Sequence, residues 1–98
     1  MFIPSSHDFG TVGTGSHKTY NFQLKNNGAS QASGSVYLFG DPDYSCIAGC
    51  SYNLNYSQSQ YVTIRFAPCN TGELDITIYA GSAQATASGV GVFSESCD

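Results

Sequence analysis

Four cysteines, two histidines, a few carboxylates and seven tyrosines are the residues of this chain that could do chemistry. Cys46, Cys50, Cys69 and Cys97 form an even set in a short chain, the usual mark of a disulfide framework in an oxidising compartment. We expect the pairs Cys46–Cys50 and Cys69–Cys97. Ile47-Ala48-Gly49 can turn tightly enough to close the first, and the second would tie the segment after Phe66 to the C-terminal tail. A zinc site fits the spacing poorly, because C-x3-C stands alone and His7 and His17 lie far upstream. A copper site of the cupredoxin kind would need a histidine soon after a cysteine, and none is there. Four free thiols would instead place the chain in the cytoplasm.

Nucleophilic catalysis needs a nucleophile beside a base that a third group orients. His7 and His17 flank a glycine-rich stretch and read as exposed loop residues rather than a dyad. Asp41 and Asp43 flank Pro42 as turn formers. Glu73 and Asp75 fall on the polar side of an alternating segment, too regular for a carboxylate pair that cleaves glycosides. Calcium at Asp41-Pro42-Asp43 lacks the ligand count. Asp8-Phe9-Gly10 and the glycines at 10, 13 and 15 imitate kinase and dinucleotide motifs without their partners, and read as turn chemistry. No catalytic residue and no metal ligand is therefore expected, and no cofactor. The tyrosines remain. Tyr44, Tyr52, Tyr56 and Tyr61 are candidates for a binding surface, where flat rings stack on sugars or on a partner protein.

Length and composition bound the elements that could position these groups. Ninety-eight residues make a single domain, 1–98, with a core spanning roughly 4–91 and a tail at 92–98. Hydrophobic residues are 41%, which argues for a packed core rather than disorder. Charged residues are only 10%, so solubility rests on Ser, Thr, Asn, Gln and Gly, a pattern commoner in exported proteins. Net charge is −4 with three basic residues, Lys18, Lys25 and Arg65, too few to neutralise phosphates, so nucleic acid is excluded as a partner. No apolar run is long enough to insert in a membrane. Met1-Phe2-Ile3-Pro4 does not read as a signal peptide, and the domain is expected to belong to a longer exported chain.

Alternation at period two is the dominant signal. Val62, Ile64 and Phe66 alternate with Tyr61, Thr63 and Arg65, and Leu74, Ile76 and Ile78 with Glu73, Asp75, Thr77 and Tyr79. These read as two antiparallel strands, each apolar on one side, broken by a segment holding Pro68 and Gly72. Tyr20, Phe22 and Leu24 mark another strand, ended by Asn26-Asn27-Gly28. Val36-Tyr37-Leu38-Phe39 is an uninterrupted apolar run in which either side could be buried. Ser30 to Ser35 reads as a loop or weak edge, Tyr52 and Leu54 as a short strand, and Ala83 to Ala87 as an outer strand. No segment has helical periodicity. The expected fold is all-β, an immunoglobulin-like antiparallel β-sandwich of about seven strands.

Several of these pieces resemble one family. Asp8-Phe9-Gly10-x-Val12-x-x-Gly15, then Lys18-Thr19-x-x-Phe22-x-Leu24-x-Asn26-x-Gly28, is similar to the start of the Hydin/ASH (MSP-like, bacterial choice-of-anchor) immunoglobulin-like domains. Val62-x-Ile64-x-Phe66-Ala67-Pro68-x-x-x-Gly72 and the closing Ala87-Ser88-Gly89-x-Gly91 resemble its later motifs. Two departures stand out: Tyr61 occupies a position where many bacterial members carry a cysteine, and Tyr56 to Gln60 replace a Leu-x-Pro-Gly turn. The resemblance implies a non-enzymatic module of a long extracellular, cell-surface, ciliary or centrosomal protein. The expected function is thus structural or adhesive, with a protein, a glycan or neighbouring domains of the parent chain as partner. The alternative is a carbohydrate-binding module using the exposed tyrosines. Extracellular or cell-surface placement is expected, or a ciliary one if the thiols are free.

Overall fold

The structure, a computed structural model, describes residues 1–28, 30–81 and 83–94. Ten strands account for most of them: β1 (Phe2–Ile3), β2 (Ser6–Gly13), β3 (Lys18–Lys25), β4 (Ala32–Ser35), β5 (Tyr37–Gly40), β6 (Tyr44–Ala48), β7 (Ser51–Leu54), β8 (Ser59–Phe66), β9 (Gly72–Ala80) and β10 (Ala83–Val92). One sheet has the order β1-β3-β8-β6, the facing sheet β2-β10-β9-β5, and β4 and β7 form a separate two-stranded ribbon. The described residues contain no helix, so none is long and apolar enough to cross a membrane.

The alternating segments place their faces as their periodicity demands. Phe22 and Leu24 of β3 and Val62, Ile64 and Phe66 of β8 point inward from one sheet. Leu74, Ile76 and Ile78 of β9, with Phe9 and Val12 of β2, meet them from the other. Phe66 is fully buried, stacked on Tyr44 at 4.5 Å between ring centres and tilted against Phe9 at 5.7 Å. Burial of such rings supplies much of the driving force for a small sandwich.

Several expectations are corrected. The runs at 61–66 and 73–79 do not pair with each other. Strand β8 bonds to β3 and β6, β9 bonds to β10 and β5, and the two runs face each other across the core. The connection between them crosses from sheet to sheet, with Pro68 buried under it. The sandwich is not wholly antiparallel, because β2 runs parallel to β10. Asp8-Phe9-Gly10 is not a turn but the middle of β2. There Phe9 and Gly10 oppose the single residue Gly89, Gly10 takes φ +73°, and its N–H donates to Asp8 Oδ1 at 2.8 Å. This is a β-bulge, an extra residue that only a permissive backbone absorbs cheaply. Of the two readings of Ser30 to Ser35, the weak edge holds and the loop does not, since Ala32–Ser35 form β4 and pair with β7 in the two-stranded ribbon. Ala83 to Ala87 are not an outer strand: β10 sits between β2 and β9.

The position of β10 explains its glycines. A Cβ on Gly89 would lie 2.6 Å from Phe66 Cε2, and one on Gly91 would collide with the Asn70 carbonyl. The closing motif is therefore the surface on which the Phe66-x-Pro68 segment rests. At the other end, buried Asn26 holds the turn after β3. Its Nδ2 donates to the carbonyls of Ser30 and Leu54 at 2.8 and 2.9 Å, and its Oδ1 accepts from Gly28 N–H.

Phe66→Ala is expected to cost about 3–5 kcal/mol, as loss of a fully buried ring does. Thr63→Ala, on the outer side of the same strand, should cost less than about 1 kcal/mol. Urea unfolding of both variants checks the register of β8, and equal losses would contradict it.

Candidate functional site

The cysteines, histidines and carboxylates are placed first by what surrounds them. Cys46 and Cys50 are joined by a disulfide with Cα atoms 5.9 Å apart, within the ordinary range for such a bridge. The tight turn expected at Ile47-Ala48-Gly49 is not formed by Ile47 and Ala48. They belong to β6, whose register shifts between Cys46 and Ala48, and the chain turns after them. The second expected pair falls on Cys97, which lies outside the described residues. No cysteine of the described chain is a free thiol.

His7 is not a loop residue, and it does not face His17. It lies in β2 and reaches across to the other sheet, stacked on Tyr20 with ring centres 3.6 Å apart and edge-on to Phe9 at 4.8 Å. Burial among these rings lowers its pKa below the ordinary value, against the opposing pull of the Asp8 carboxylate. His17 is exposed before β3. No general base is assembled from the two.

The carboxylates at 41 and 43 are structural. Asp43 Oδ2 accepts from the backbone N–H of Cys69 at 3.0 Å and of Asn70 at 3.2 Å, and from Asn70 Nδ2 at 3.3 Å. Asp41 Oδ1 in turn accepts from Asp43 N–H at 2.9 Å. The pair thus caps the crossover between β8 and β9. A carboxylate already holding three donors is committed to that connection rather than to a cation. Among the described residues no three of His, Cys, Asp and Glu come together as a metal set.

The four candidate tyrosines separate into different roles. Tyr44 is corrected outright: it is buried, and its hydroxyl donates to the Leu74 carbonyl at 2.6 Å. Burial, reinforced by Asp75, Asp41, Asp8 and Asp43, raises its pKa far above the usual phenol range. It is a core ring with a satisfied hydroxyl. Tyr52 is half-buried over Gly34 and Gly81, walling a cleft of about 420 Å3 between the sheet ends with Leu24, Lys25 and Leu54. Tyr56 and Tyr61 are 63% and 65% exposed, one in the turn before β8 and the other on its outer face.

Sequence reasoning missed the exposed Phe39, which stands beside Tyr37, a ring that the sequence already allows to face outward. Tyr37 and Phe39 in β5 are 67% and 75% exposed, while Val36 is buried and Leu38 packs against the core. A run with no polar residue carries no parity, so nothing in it told which side faced out. Beside Phe39 a groove of about 500 Å3 crosses the outer face of the sheet, over β9 and β10.

This arrangement is an immunoglobulin-like β-sandwich, and its fold resembles that of ASH/PapD-like domains. Among solved structures the chain is similar to the ASH/PapD-like domain 7 of human CEP192, with a TM-score of 0.68 at 17% identity, covering 97% of this chain and 86% of that one. It is also similar to part of the secreted serine protease VesC from Vibrio cholerae, with a TM-score of 0.55 at 17% identity, covering 86% of this chain but 21% of that one. No family model matches the sequence, and no curated protein matches it. At such identities the likeness establishes the fold.

The setting of His7 has a pH consequence. Its pKa is lower folded than unfolded, so below about pH 6.5 the unfolded chain binds a proton that the folded chain resists. Its contribution is present above that value and is lost as the pH falls. Urea midpoints are expected to drop between about pH 7.5 and about pH 5.5, and His7→Phe should flatten the profile over this window. An unchanged slope in the variant would contradict the assignment.

Proposed function

We propose that this domain is a non-enzymatic interaction module of a larger exported or cell-surface protein, working by rigidity and by contact through its sheet faces. The observation that carries the reading is the exposed aromatic pair Tyr37 and Phe39 on a strand fixed to a packed sandwich. Large aromatic rings held on a rigid face are enriched at contact surfaces, where charged residues are depleted. The likeness to a PapD-like domain supports a scaffold without chemistry of its own. So does the placement of the reactive side chains, with His7 packed between rings and Asp43 spent on a turn.

Export is supported by the Cys46–Cys50 disulfide, since such bridges persist where thiols are not kept reduced. It agrees with the low charge content of the surface. The partners that fit are a protein, a glycan or a neighbouring domain of the same parent chain.

The compartment is testable on the protein recovered from its own cells. Alkylation before and after reduction, read by mass spectrometry of the 46–50 peptide, is expected to label Cys46 and Cys50 only after reduction. Labelling without reductant would overturn the export reading.

A further inference from the structure

The groove beside Phe39 has a makeup that the fold does not require. Its lining holds exposed Phe39 from β5, exposed Asp75 and half-buried Thr77 from β9, and exposed Thr86 and half-buried Ser88 from β10. Strand register sets these in rows on one face. Phe39 pairs with Thr77 and Thr77 with Thr86, and Asp75 pairs with Ser88 two residues further along. Between the rows Ile76 and Ala87 turn into the core, so the groove floor there is backbone. The wall is one aromatic ring, 75% exposed, and the polar groups are a carboxylate and three hydroxyls.

We infer that this groove is a binding site for a neutral glycan, with Phe39 stacked on the apolar face of a sugar ring. A pyranose has a face of C–H groups and a rim of hydroxyls, and the groove offers a partner for each. The ring takes the C–H face. The Asp75 carboxylate accepts hydroxyl hydrogens, and Thr77, Thr86 and Ser88 both donate and accept. None of these side chains makes a hydrogen bond within the described residues, so their capacity is open to a ligand. No Lys, Arg or His lines the groove, and a carboxylate sits in it, which disfavours acidic polysaccharides, phosphates and nucleic acid. Thr and Ser are short, so holding them still costs little entropy on binding. Tyr37 lies two residues along β5, about 7 Å away by strand rise, on the same side as Phe39. It extends the platform for a chain of more than one sugar.

This deepens the interaction-module reading and moves the sugar site from the tyrosines at 44–61 to the opposite sheet. The test is titration of the 15N-labelled protein with xylohexaose, cellohexaose, mannohexaose and chitohexaose, with an oligogalacturonate as the charged control. At least one neutral oligosaccharide is expected to shift the amides of Phe39, Thr77, Thr86 and Ser88. Phe39→Ala, an exposed position that should leave the spectrum folded, is expected to weaken that binding about tenfold, the size of a modest aromatic anchor. Tyr61→Ala, on the other sheet, should leave it unchanged. Silence with all four neutral sugars would overturn the glycan site, as would shifts centred on Tyr56 and Tyr61 or stronger binding of the oligogalacturonate. Any of those results leaves the alkylation outcome for Cys46 and Cys50 untouched, so the two readings fail separately.

Discussion

Everything in this sandwich depends on a close approach between one aromatic ring and one strand that gives way to it. Phe66 ends β8 fully buried, and its ring edge occupies the space where a side chain on Gly89 would stand. Two residues further on each side, Pro68 and the Asn70 carbonyl press on Gly91 in the same manner. Interiors are packed to the density of organic crystals, so such a contact leaves little slack. It joins the two sheets at the point where the chain crosses from one to the other.

The crossover follows from that contact. Pro68 cannot donate to a ladder, which ends β8 without leaving an amide unpaired. The amides that follow would be orphaned by the crossing, and Asp43 accepts them. Tyr44, the next residue, then drops its ring onto Phe66 and its hydroxyl onto the Leu74 carbonyl of β9. One turn thereby binds β6, β8 and β9 together. The sheet that results holds β5 at its edge, with Tyr37 and Phe39 turned away from the core.

Much of this was legible in the sequence where a strand has one wet face. At 18–25, 61–66 and 73–79 a polar residue stands at every second position, and burial follows the alternation. The same signal says nothing about which strand bonds to which. By alternation alone the two central runs read as neighbours, although they lie in opposite sheets. Ala85 and Ala87 are small because β10 is crowded in the centre of its sheet, yet small residues suit an edge strand equally well. Tyr44 was misplaced because its burial depends on Asp43 capping a turn more than twenty residues later, a long-range bond that no local pattern announces. Phe39 was missed because Val36 to Phe39 has no alternation to break. The Phe66-x-Pro68 segment and the glycines at 89 and 91, quoted as separate motifs, are the two halves of one packing contact that periodicity does not announce.

The central claim is that Phe66 and Gly89 are fitted to each other. A double-mutant cycle measures that fit directly. Gly89→Ala in the wild-type background is expected to cost about 1–3 kcal/mol through overpacking against the ring. In a Phe66→Leu background the added methyl has room, and the cost of Gly89→Ala should fall well below that. If the two losses simply add in urea unfolding, the ring and the glycine are independent, and the account of the fold given by their contact is contradicted.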